Sequence, residues 1–461
     1  MNVKEYLQEV KSGRIDVVRY VENILEEAKK INVGYSYFNF IAEENAVKHA
    51  EEVRKKIVKK NSGRLAGLCV SAKDNICVKG IESTAGSMIL NGYKPLFNAT
   101  AIERLVKEDA IVIGKTSQDE FGFGGFSVNI GKGKNMPRNP LDMDRVTGGS
   151  SGGCAGFTKI TKNVHVSIAE STGGSIVNPA AFCGVIGLCP TYGLVSRYGL
   201  IDYANSLDKI GIMAKDINDI ELVLDVIKGH DENDSTSLNM EMKEGKIRKI
   251  GIIKEALNVD SEIKKIILDA VENLGIEYEE VSLPITAEYG IPVYYLIATS
   301  EASTNLAKYC GIRYGHEKNI EGDFNEYFSK IRTDAFGDEA KRRIILGTFA
   351  RMAGFRDQYY LKAMKARTLI INEYKNAFRR YDLLVSPTMP IIAPRFDEVK
   401  KLTPLQNYMM DILTVGPNLA GLPHITINAG FKDDMPVGIM FIAEHLGEKR
   451  LIEVCKNKAF S

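Results

Sequence analysis

The stretch Gly148–Thr191 reads GGSSGGCAGFTKITKNVHVSIAESTGGSIVNPAAFCGVIGLCPT and contains two serine turns framed by glycine pairs, Gly148–Gly153 and Thr172–Ser175. Glycine tolerates a positive φ and lets the backbone approach a ligand closely, so each turn can present a serine hydroxyl beside free backbone N–H groups. This arrangement suits acyl transfer, in which a nucleophilic oxygen attacks a carbonyl and N–H donors hold the oxyanion. Flexible loops and phosphate-binding nests have a similar composition, and either turn alone would also fit them.

A serine nucleophile needs a base, because a free hydroxyl is almost wholly protonated at neutral pH. None of the six histidines lies in a glycine-rich turn, and His165 falls in an alternating run typical of a buried strand. A lysine can replace histidine if burial disfavours its charged form. Lys73 follows the apolar run Leu68–Ala72 and would lie at the end of a buried strand. The competing interpretation of a single lysine is a solvated surface charge.

The glycine–serine turns and this lysine together resemble the amidase signature enzymes, which use a Ser–Ser–Lys triad. The resemblance rests on Lys73-Asp74-Asn75, on the GGSSGG run, and on TGGSI followed by PAAFCG. It implies that Ser175 is the acyl-forming nucleophile, Ser150 the bridging serine, and Lys73 the base that receives the proton through Ser150. It also implies a cis non-proline peptide bond at Ser150, and an α/β fold in which helices cover both faces of one large mixed β-sheet.

Length and composition agree with a globular α/β protein. The chain has 461 residues, of which 44% are apolar, and a formal net charge of +1. An α/β fold can hold this length around one sheet, and a balanced charge creates no overall field that would attract nucleic acid or an anionic membrane. Any contact with RNA is therefore expected to be local or made by a partner.

The amino terminus lacks an apolar signal core, and no window reaches about 18 uncharged apolar residues. We therefore expect a cytoplasmic protein that does not contact a membrane. The seven cysteines are scattered and form no C-x-x-C pair, which favours reduced thiols and argues against zinc. We therefore expect no metal site. The glycine-rich stretch Gly125–Lys134 does not have the residue spacing of a P-loop, so we expect no nucleotide site in this chain either.

The order of apolar patterns predicts two parts, an N-terminal helical segment at 1–62 and a catalytic domain at 63–461 that together form one compact body. Residues 3–60 are predicted to be helical and to cover one face or edge of the sheet, because Val17, Val18, Val21, Ile24, Leu25 and Ala28 share one helical face. From Leu68 the pattern becomes strand–helix–strand. The predicted elements are a strand ending at Lys73, a helix at Thr100–Glu108, and strands at Ala110–Gly114, Val164–Ile168 and Gly184–Leu188.

This order places Ser175 between two core strands, at the start of a short helix. The backbone N–H groups of this turn can then point at one oxyanion. The predicted oxyanion-hole residues are Thr172, Gly173 and Gly174, together with the N–H of Ser175.

The carboxy-terminal half resembles one branch of the family, the A subunits of tRNA-dependent amidotransferases. The similar stretches include Tyr294-Tyr295, Gly311–Gly315, Lys341–Ile344 and Asp411–Thr414. In that branch the positions matching Tyr294, Arg343 and Asp411 bind glutamine. The chemistry agrees, because a free amino acid offers a carboxylate to the planar fork of Arg343 and an ammonium to Asp411.

The resemblance implies a glutaminase subunit that supplies ammonia to a partner B subunit, with a small C subunit clamping the pair. The partner would use ATP and Mg²⁺ to activate misacylated Glu-tRNA or Asp-tRNA, and this chain would carry no cofactor. Two alternatives stay open. The first is a stand-alone amide hydrolase with the same triad, and the second is an inactive scaffold or phosphate-binding module built on glycine–serine nests.

The chain also departs from the family pattern around the proposed nucleophile. Ser171 and Val177 stand where the family usually has an aspartate and an arginine, and Val128 stands where we expect a glutamate. Cys189 and Leu194 replace a lysine and an arginine. Losing both partners of an ion pair avoids the cost of one stranded buried charge, so the turn can remain intact. The triad positions themselves are unchanged, and the departures bear on local rigidity, rate and the lining of an ammonia route.

Overall fold

The computed structural model describes residues 1–319 and 322–460. Within these ranges eleven strands form one sheet. They are β1 (Phe38–Ile41), β2 (Cys69–Lys73), β3 (Ile111–Thr116), β4 (His165–Ser171), β5 (Ile186–Cys189), β6 (Lys209–Ala214), β7 (Lys249–Ile253), β8 (Glu277–Val281), β9 (Leu383–Pro387), β10 (His424–Lys432) and β11 (Met435–Ala443). Their order is β1-β3-β2-β4-β6-β5-β10-β11-β9-β7-β8. The sheet is mixed, because β2 pairs in parallel with β3 and β4, whereas β4 and β6 pair antiparallel.

The described residues also form sixteen α-helices. They are α1 (Val3–Lys11), α2 (Val17–Tyr35), α3 (Glu43–Val58), α4 (Thr100–Lys107), α5 (Gly152–Ile160), α6 (Val177–Cys183), α7 (Ile217–Ile227), α8 (Ser261–Glu272), α9 (Pro284–Asn305), α10 (Phe324–Ala335), α11 (Asp338–Arg351), α12 (Lys362–Ala377), α13 (Phe396–Val399), α14 (Pro404–Met409), α15 (Val415–Leu419) and α16 (Glu448–Cys455). No helix in the described part of the chain is both long enough and apolar enough to cross a bilayer.

Helices cover both faces of the sheet, as predicted. Successive side chains of a strand point to opposite faces, and those of β11 alternate between two hydrophobic clusters. Phe441 belongs to the cluster that contains Ile263 of α8, and Met440 belongs to the cluster that contains Ile297 of α9. The sheet therefore separates two apolar layers, each closed by its own helices.

The N-terminal segment packs on the first of these layers. Helix α2 begins after Asp16, whose carboxylate accepts hydrogen bonds from two N–H groups of the first turn, and its predicted apolar face is buried. The prediction that residues 3–60 are entirely helical is wrong at Phe38–Ile41, which form the edge strand β1 paired antiparallel with β3. Four residues are too few for their period to distinguish a strand from a helix, and pairing with β3 decides the structure.

The predicted strands around the serine turns are confirmed, with boundaries shifted by one to three residues. Strands β2 and β4 are parallel neighbours, so their carboxyl ends meet at one edge of the sheet. Lys73 is the last residue of β2, and Ser171, the last residue of β4, leads directly into the Thr172–Ser175 turn. This edge therefore brings the predicted base and the second serine turn together.

Candidate active site

Lys73 is fully buried, and its amine is surrounded by three acceptors. Its Nζ donates to the Ser150 hydroxyl at 2.7 Å, to the Glu170 carbonyl oxygen at 2.9 Å and to Glu170 Oε2 at 2.7 Å. Two of the three contacts thus come from one residue of β4. The predicted contact between Lys73 and Ser150 is present in the structure, together with the carboxylate of Glu170, which was not among the residues predicted from the sequence.

The first serine turn holds Ser150 on a cis peptide bond, Gly149–Ser150, as the resemblance implied. The turn is closely packed: a β-carbon on Gly149 would lie 2.2 Å from Asp119 Oδ2, so only glycine fits there. Asp119 also receives the N–H groups of Ser127 and Asn129 at 3.0 and 2.8 Å, which fixes the loop that lies behind the turn. Ser150 is consequently buried and held in one position, with its hydroxyl on Lys73.

The second serine turn joins β4 to α6, and Ser175 is 7% exposed within it. In the described chain, no hydrogen bond is formed by the backbone N–H groups of Gly173, Gly174 and Ser175. Buried backbone donors are nearly always paired, so free donors beside a serine hydroxyl are suited to an incoming oxyanion. The oxyanion hole at Thr172, Gly173 and Gly174 stays a prediction.

The two serine turns pack against each other. A β-carbon on Gly148, which has a φ of 76°, would lie 2.8 Å from Cα of Pro179 and 2.6 Å from the Asn178 side chain. Both of these residues belong to α6, which begins two residues after Ser175. Gly148 therefore permits the close approach of the first serine turn to α6, the helix that follows Ser175.

Two buried carboxyl groups lie behind the lysine. Thr172 Oγ1 lies 2.8 Å from Glu170 Oε1 and 2.7 Å from Asp208 Oδ1. Asp208 Oδ2 accepts hydrogen bonds from the backbone N–H groups of Tyr203 and Ala204. Burial raises the pKa of Asp208 well above its usual range, and the nearby charge of Glu170 raises it further. The sequence does carry a signal for this pair, because a glutamate inside an apolar strand is seldom buried without a partner.

A cavity of about 370 Å³ is lined by Arg343, Tyr295, Tyr408 and Glu339. Its lining also includes Gly125, whose carbonyl oxygen accepts the backbone N–H of Gly149 in the first serine turn. Arg343, on α11, is 2% exposed. Its Nε donates to Glu339 Oε1 at 2.8 Å and its Nη1 to the Tyr203 hydroxyl at 2.5 Å. Its guanidinium also lies 5.3 Å from the ring centre of Tyr295. A buried cation at the wall of a cavity can bind an anionic group of a ligand.

The other two predicted substrate residues occupy different positions. Asp411 Oδ2 accepts a hydrogen bond from the Tyr295 hydroxyl at 2.7 Å, and Gly125, which lines the cavity, lies next to Asp411 Oδ1. Tyr294 instead lies against Gly173 of the second serine turn. Arg343 thus lines the cavity, Asp411 contacts two other residues of its lining, and Tyr294 contacts the turn.

The positions that depart from the family pattern carry no charge of their own, and all of them except the partly exposed Val128 are buried. Val177 belongs to an apolar cluster, and the Ser171 hydroxyl has no hydrogen-bond partner within the described chain. Cys189 is buried, and Val128 lines the cavity beside Arg343. In residues 1–319 and 322–460, no group of three or more His, Cys, Asp or Glu side chains is arranged to hold a metal ion.

Comparison with known proteins agrees with this geometry. The chain is 44% identical over 458 residues to the second glutamyl-tRNA(Gln) amidotransferase A subunit of Clostridium acetobutylicum, covering 96% of this chain and 94% of the relative. It is 43% identical over 462 residues to the corresponding A subunit of Archaeoglobus fulgidus, covering 99% and 98%. The crystal structure of the glutamyl-tRNA(Gln) amidotransferase A subunit from Thermotoga maritima matches with a TM-score of 0.80 and 31% identity, covering 99% and 94%. The amidase family model matches residues 19–452. The chain therefore belongs to the amidase family.

Proposed function

We propose that this chain is the glutamine-hydrolysing A subunit of a glutamyl-tRNA(Gln) amidotransferase. The observation that carries the proposal is the contact between buried Lys73 and Ser150, beside a serine turn with free N–H donors and a cavity that holds Arg343. The high identity to subunits of that name, over nearly the whole of both chains, supports the same assignment.

In the proposed reaction Ser175 Oγ attacks the side-chain amide carbon of glutamine. Its proton passes to Ser150 Oγ as the proton of Ser150 passes to Lys73 Nζ, so the bridging serine remains neutral. The N–H groups of the Thr172–Ser175 turn hold the oxyanion. The C–N bond then breaks, and the proton returns through Ser150 to the leaving ammonia. Water hydrolyses the glutamyl ester by the same route and restores Ser175.

The cavity supports an amino-acid substrate. The guanidinium of Arg343 is proposed to bind the α-carboxylate and Asp411 the α-ammonium, which would leave the amide to reach Ser175. Tyr294 is proposed to contribute to glutamine binding indirectly, by supporting the Thr172–Ser175 turn. One observation favours the alternative of a stand-alone amidase for a neutral amide: Glu339 already receives the Nε of Arg343 and partly neutralises its charge. Glutamine and small neutral amides therefore form the decisive substrate pair.

The product ammonia is proposed to pass to a B subunit that activates misacylated Glu-tRNA with ATP and Mg²⁺, with a small C subunit holding the pair. Misacylated Asp-tRNA is the alternative acceptor. We place the complex in the cytoplasm, where it would meet aminoacylated tRNA. The net charge of +1 supports this division of labour, because an isolated chain with so little net charge would bind tRNA weakly.

The test compares the purified chain with the assembled complex. Glutamine hydrolysis and conversion of misacylated tRNA are measured for the chain alone, then with both companion subunits, ATP and tRNA. We expect weak glutaminase activity from the chain alone, and transamidation only from the complex, because partner contacts can favour the active arrangement of the turns. Full transamidation by the isolated chain would refute the subunit assignment. Vigorous hydrolysis of neutral amides that is indifferent to the partners would support the stand-alone amidase.

A further inference from the structure

We propose that Glu170 is a positioning residue for Lys73: its carboxylate directs the amine at Ser150 and stabilises the ammonium formed when Lys73 takes up a proton. Asp208 completes the device as a neutral acid that donates to the Thr172 hydroxyl, which in turn donates to Glu170. This inference rests on the proposed roles of Lys73, Ser150 and Ser175, and it adds a member that the Ser–Ser–Lys triad does not include.

The contacts of the Lys73 amine fix the direction in which it points. An ammonium has three N–H bonds, and Lys73 Nζ has three acceptors, two of which belong to Glu170. When the carbonyl and carboxylate oxygens of Glu170 occupy two N–H directions, the third position on the nitrogen is aimed at Ser150 Oγ. That position is an N–H bond in the ammonium and the lone pair in the neutral amine that accepts the Ser150 proton. Glu170 thereby removes the rotational freedom of a long side chain that could otherwise turn away from the bridging serine.

The carboxylate of Glu170 is itself held by three hydrogen-bond partners. Its Oε2 accepts from Lys73 and, at 3.0 Å, from Asn75 Nδ2, whereas its Oε1 lies 2.8 Å from Thr172 Oγ1. Side-chain exposure is 0% for Lys73 and 1% for Glu170. A buried charge of either sign is costly unless it is paired and hydrogen-bonded, and here each group meets this need of the other.

The contacts of Thr172 indicate that Asp208 carries a proton. Thr172 Oγ1 contacts a carboxyl oxygen of Glu170 and one of Asp208, yet a hydroxyl has only one proton to donate. One of the two acids must therefore be protonated and donate to the threonine oxygen. Glu170 is the one paired with a cation, and the pKa of Asp208 is raised by burial and by the Glu170 charge. The direction is thus from Asp208 O–H to Thr172, and from Thr172 O–H to Glu170.

Other titratable groups approach the pair from three neighbouring elements. Asp119, in the segment after β3, and Cys154 of α5 face Lys73, while Cys189 of β5 faces Glu170. Burial raises the pKa of Asp119 to about 6 and that of Cys154 to about 11. Neither group makes a hydrogen bond to Lys73. Glu170 is therefore the anion in direct contact with the amine.

The device affects the proton transfer without consuming a proton. When Ser175 attacks, the proton of Ser150 moves to the neutral amine of Lys73, and the new ammonium is formed beside an existing carboxylate. The proton counts of Glu170 and Asp208 stay constant, and the proton leaves again with ammonia. A fixed counter-charge at the site where charge develops lowers the barrier to this proton transfer.

The test is the pH dependence of glutamine hydrolysis by the assembled complex carrying Glu170→Gln. We expect kcat to fall about 10²-fold with little change in KM, because the loss is in the proton-transfer step. The half-maximal point of the acid limb should also move to lower pH, because an amine without its counter-anion loses its proton more readily. Glu170→Asp, which keeps the charge, should recover part of the rate and leave the acid limb near that of the wild type.

The matched control is Glu120→Gln, a change at another buried glutamate, whose carboxylate binds Ser87 and the backbone N–H of Gly337. It should leave the pH profile in place. Asp208→Asn should cost less than about fivefold and leave the acid limb unmoved, since asparagine is neutral and can still donate to Thr172. An acid-limb shift as large as that of Glu170→Gln would overturn the neutral state of Asp208.

Glu170→Gln with an unmoved acid limb would overturn the positioning role, whether the rate is lost or kept, since a purely structural role changes rate and melting temperature alone. Failure of the proposed function would look different. In that case Ser175→Ala would keep its glutaminase activity, and a serine-directed acylating probe would not label Ser175 in the wild type.

Discussion

The ring of Tyr294 lies so close to Gly173 that a β-carbon on Gly173 would sit 2.5 Å from Cζ of the tyrosine. The tyrosine therefore acts as a wall for the turn that carries Ser175. Its neighbour Tyr295 faces the cavity and holds Asp411. Two adjacent residues of α9 thus contact the turn and the cavity separately.

This contact predicts the effect of Gly173→Ala. The added methyl must displace either the buried tyrosine ring or the turn, so the N–H donors lose their alignment, and we expect glutamine hydrolysis to fall about 10²-fold in kcat. The control is Gly34→Ala in α2, where the new β-carbon meets only one atom, at 3.8 Å. Steady-state kinetics of both variants check the prediction, and equal activity of the two would contradict it.

The triad predicts a non-additive set of losses. Ser175→Ala should abolish glutamine hydrolysis, and Lys73→Ala and Ser150→Ala should each cost at least ~10³-fold, because the three side chains act as one unit. Ser386→Ala, which removes another buried serine hydroxyl, on β9, serves as the control. The double variant Lys73→Ala/Ser150→Ala should hydrolyse glutamine no more slowly than the less active of the two single variants. Losses that multiply would show that the residues act independently.

Arg343→Lys tests recognition of the substrate carboxylate. A lysine ammonium cannot keep the contacts to Glu339 and Tyr203 and also present two parallel N–H groups, so kcat/KM for glutamine should fall at least tenfold. A small neutral amide should be hardly affected. Arg351→Lys, at the end of the same helix, is the control. If both substrates suffered the same loss, Arg343 would serve the fold of the site and not the choice of substrate.

Asp219 predicts how stability changes with pH. Burial raises its pKa to about 7 in the folded protein, whereas the pKa of an aspartate in the unfolded chain is ~3.9. Between these values the folded state binds more protons, so this residue's contribution to stability is complete below about pH 4 and is lost as pH rises to 7. Asp219→Asn removes the titration and can still accept the N–H of Val3.

The melting temperature of Asp219→Asn should therefore exceed that of the wild type at pH 8 and match it more closely at pH 5. Thermal unfolding followed by circular dichroism at the two pH values measures the difference. A gap between variant and wild type that does not change with pH would show that the carboxyl group does not titrate in this range.

Much of the fold and part of the site were readable from the chain. The strand ending at Lys73, the two glycine–serine turns and the α2 face are local patterns, set by glycine conformations and by apolar periodicity, and each appears where it was predicted. The short strand β1 was missed, because its structure depends on pairing with β3 and not on its own four residues.

The sequence by itself determined the chemistry available: two serines on turns and a lysine at the end of a strand. The tertiary structure decided what surrounds them. Glu170 lies 97 positions from Lys73 in the chain, and it reaches the amine only because β2 and β4 pair in parallel and end at the same edge. The choice of Tyr295 over Tyr294 as the partner of Asp411 likewise depends on which way α9 faces the cavity. Such contacts follow from strand register and helix rotation, and these are set by burial across the whole core and not by residues near in sequence.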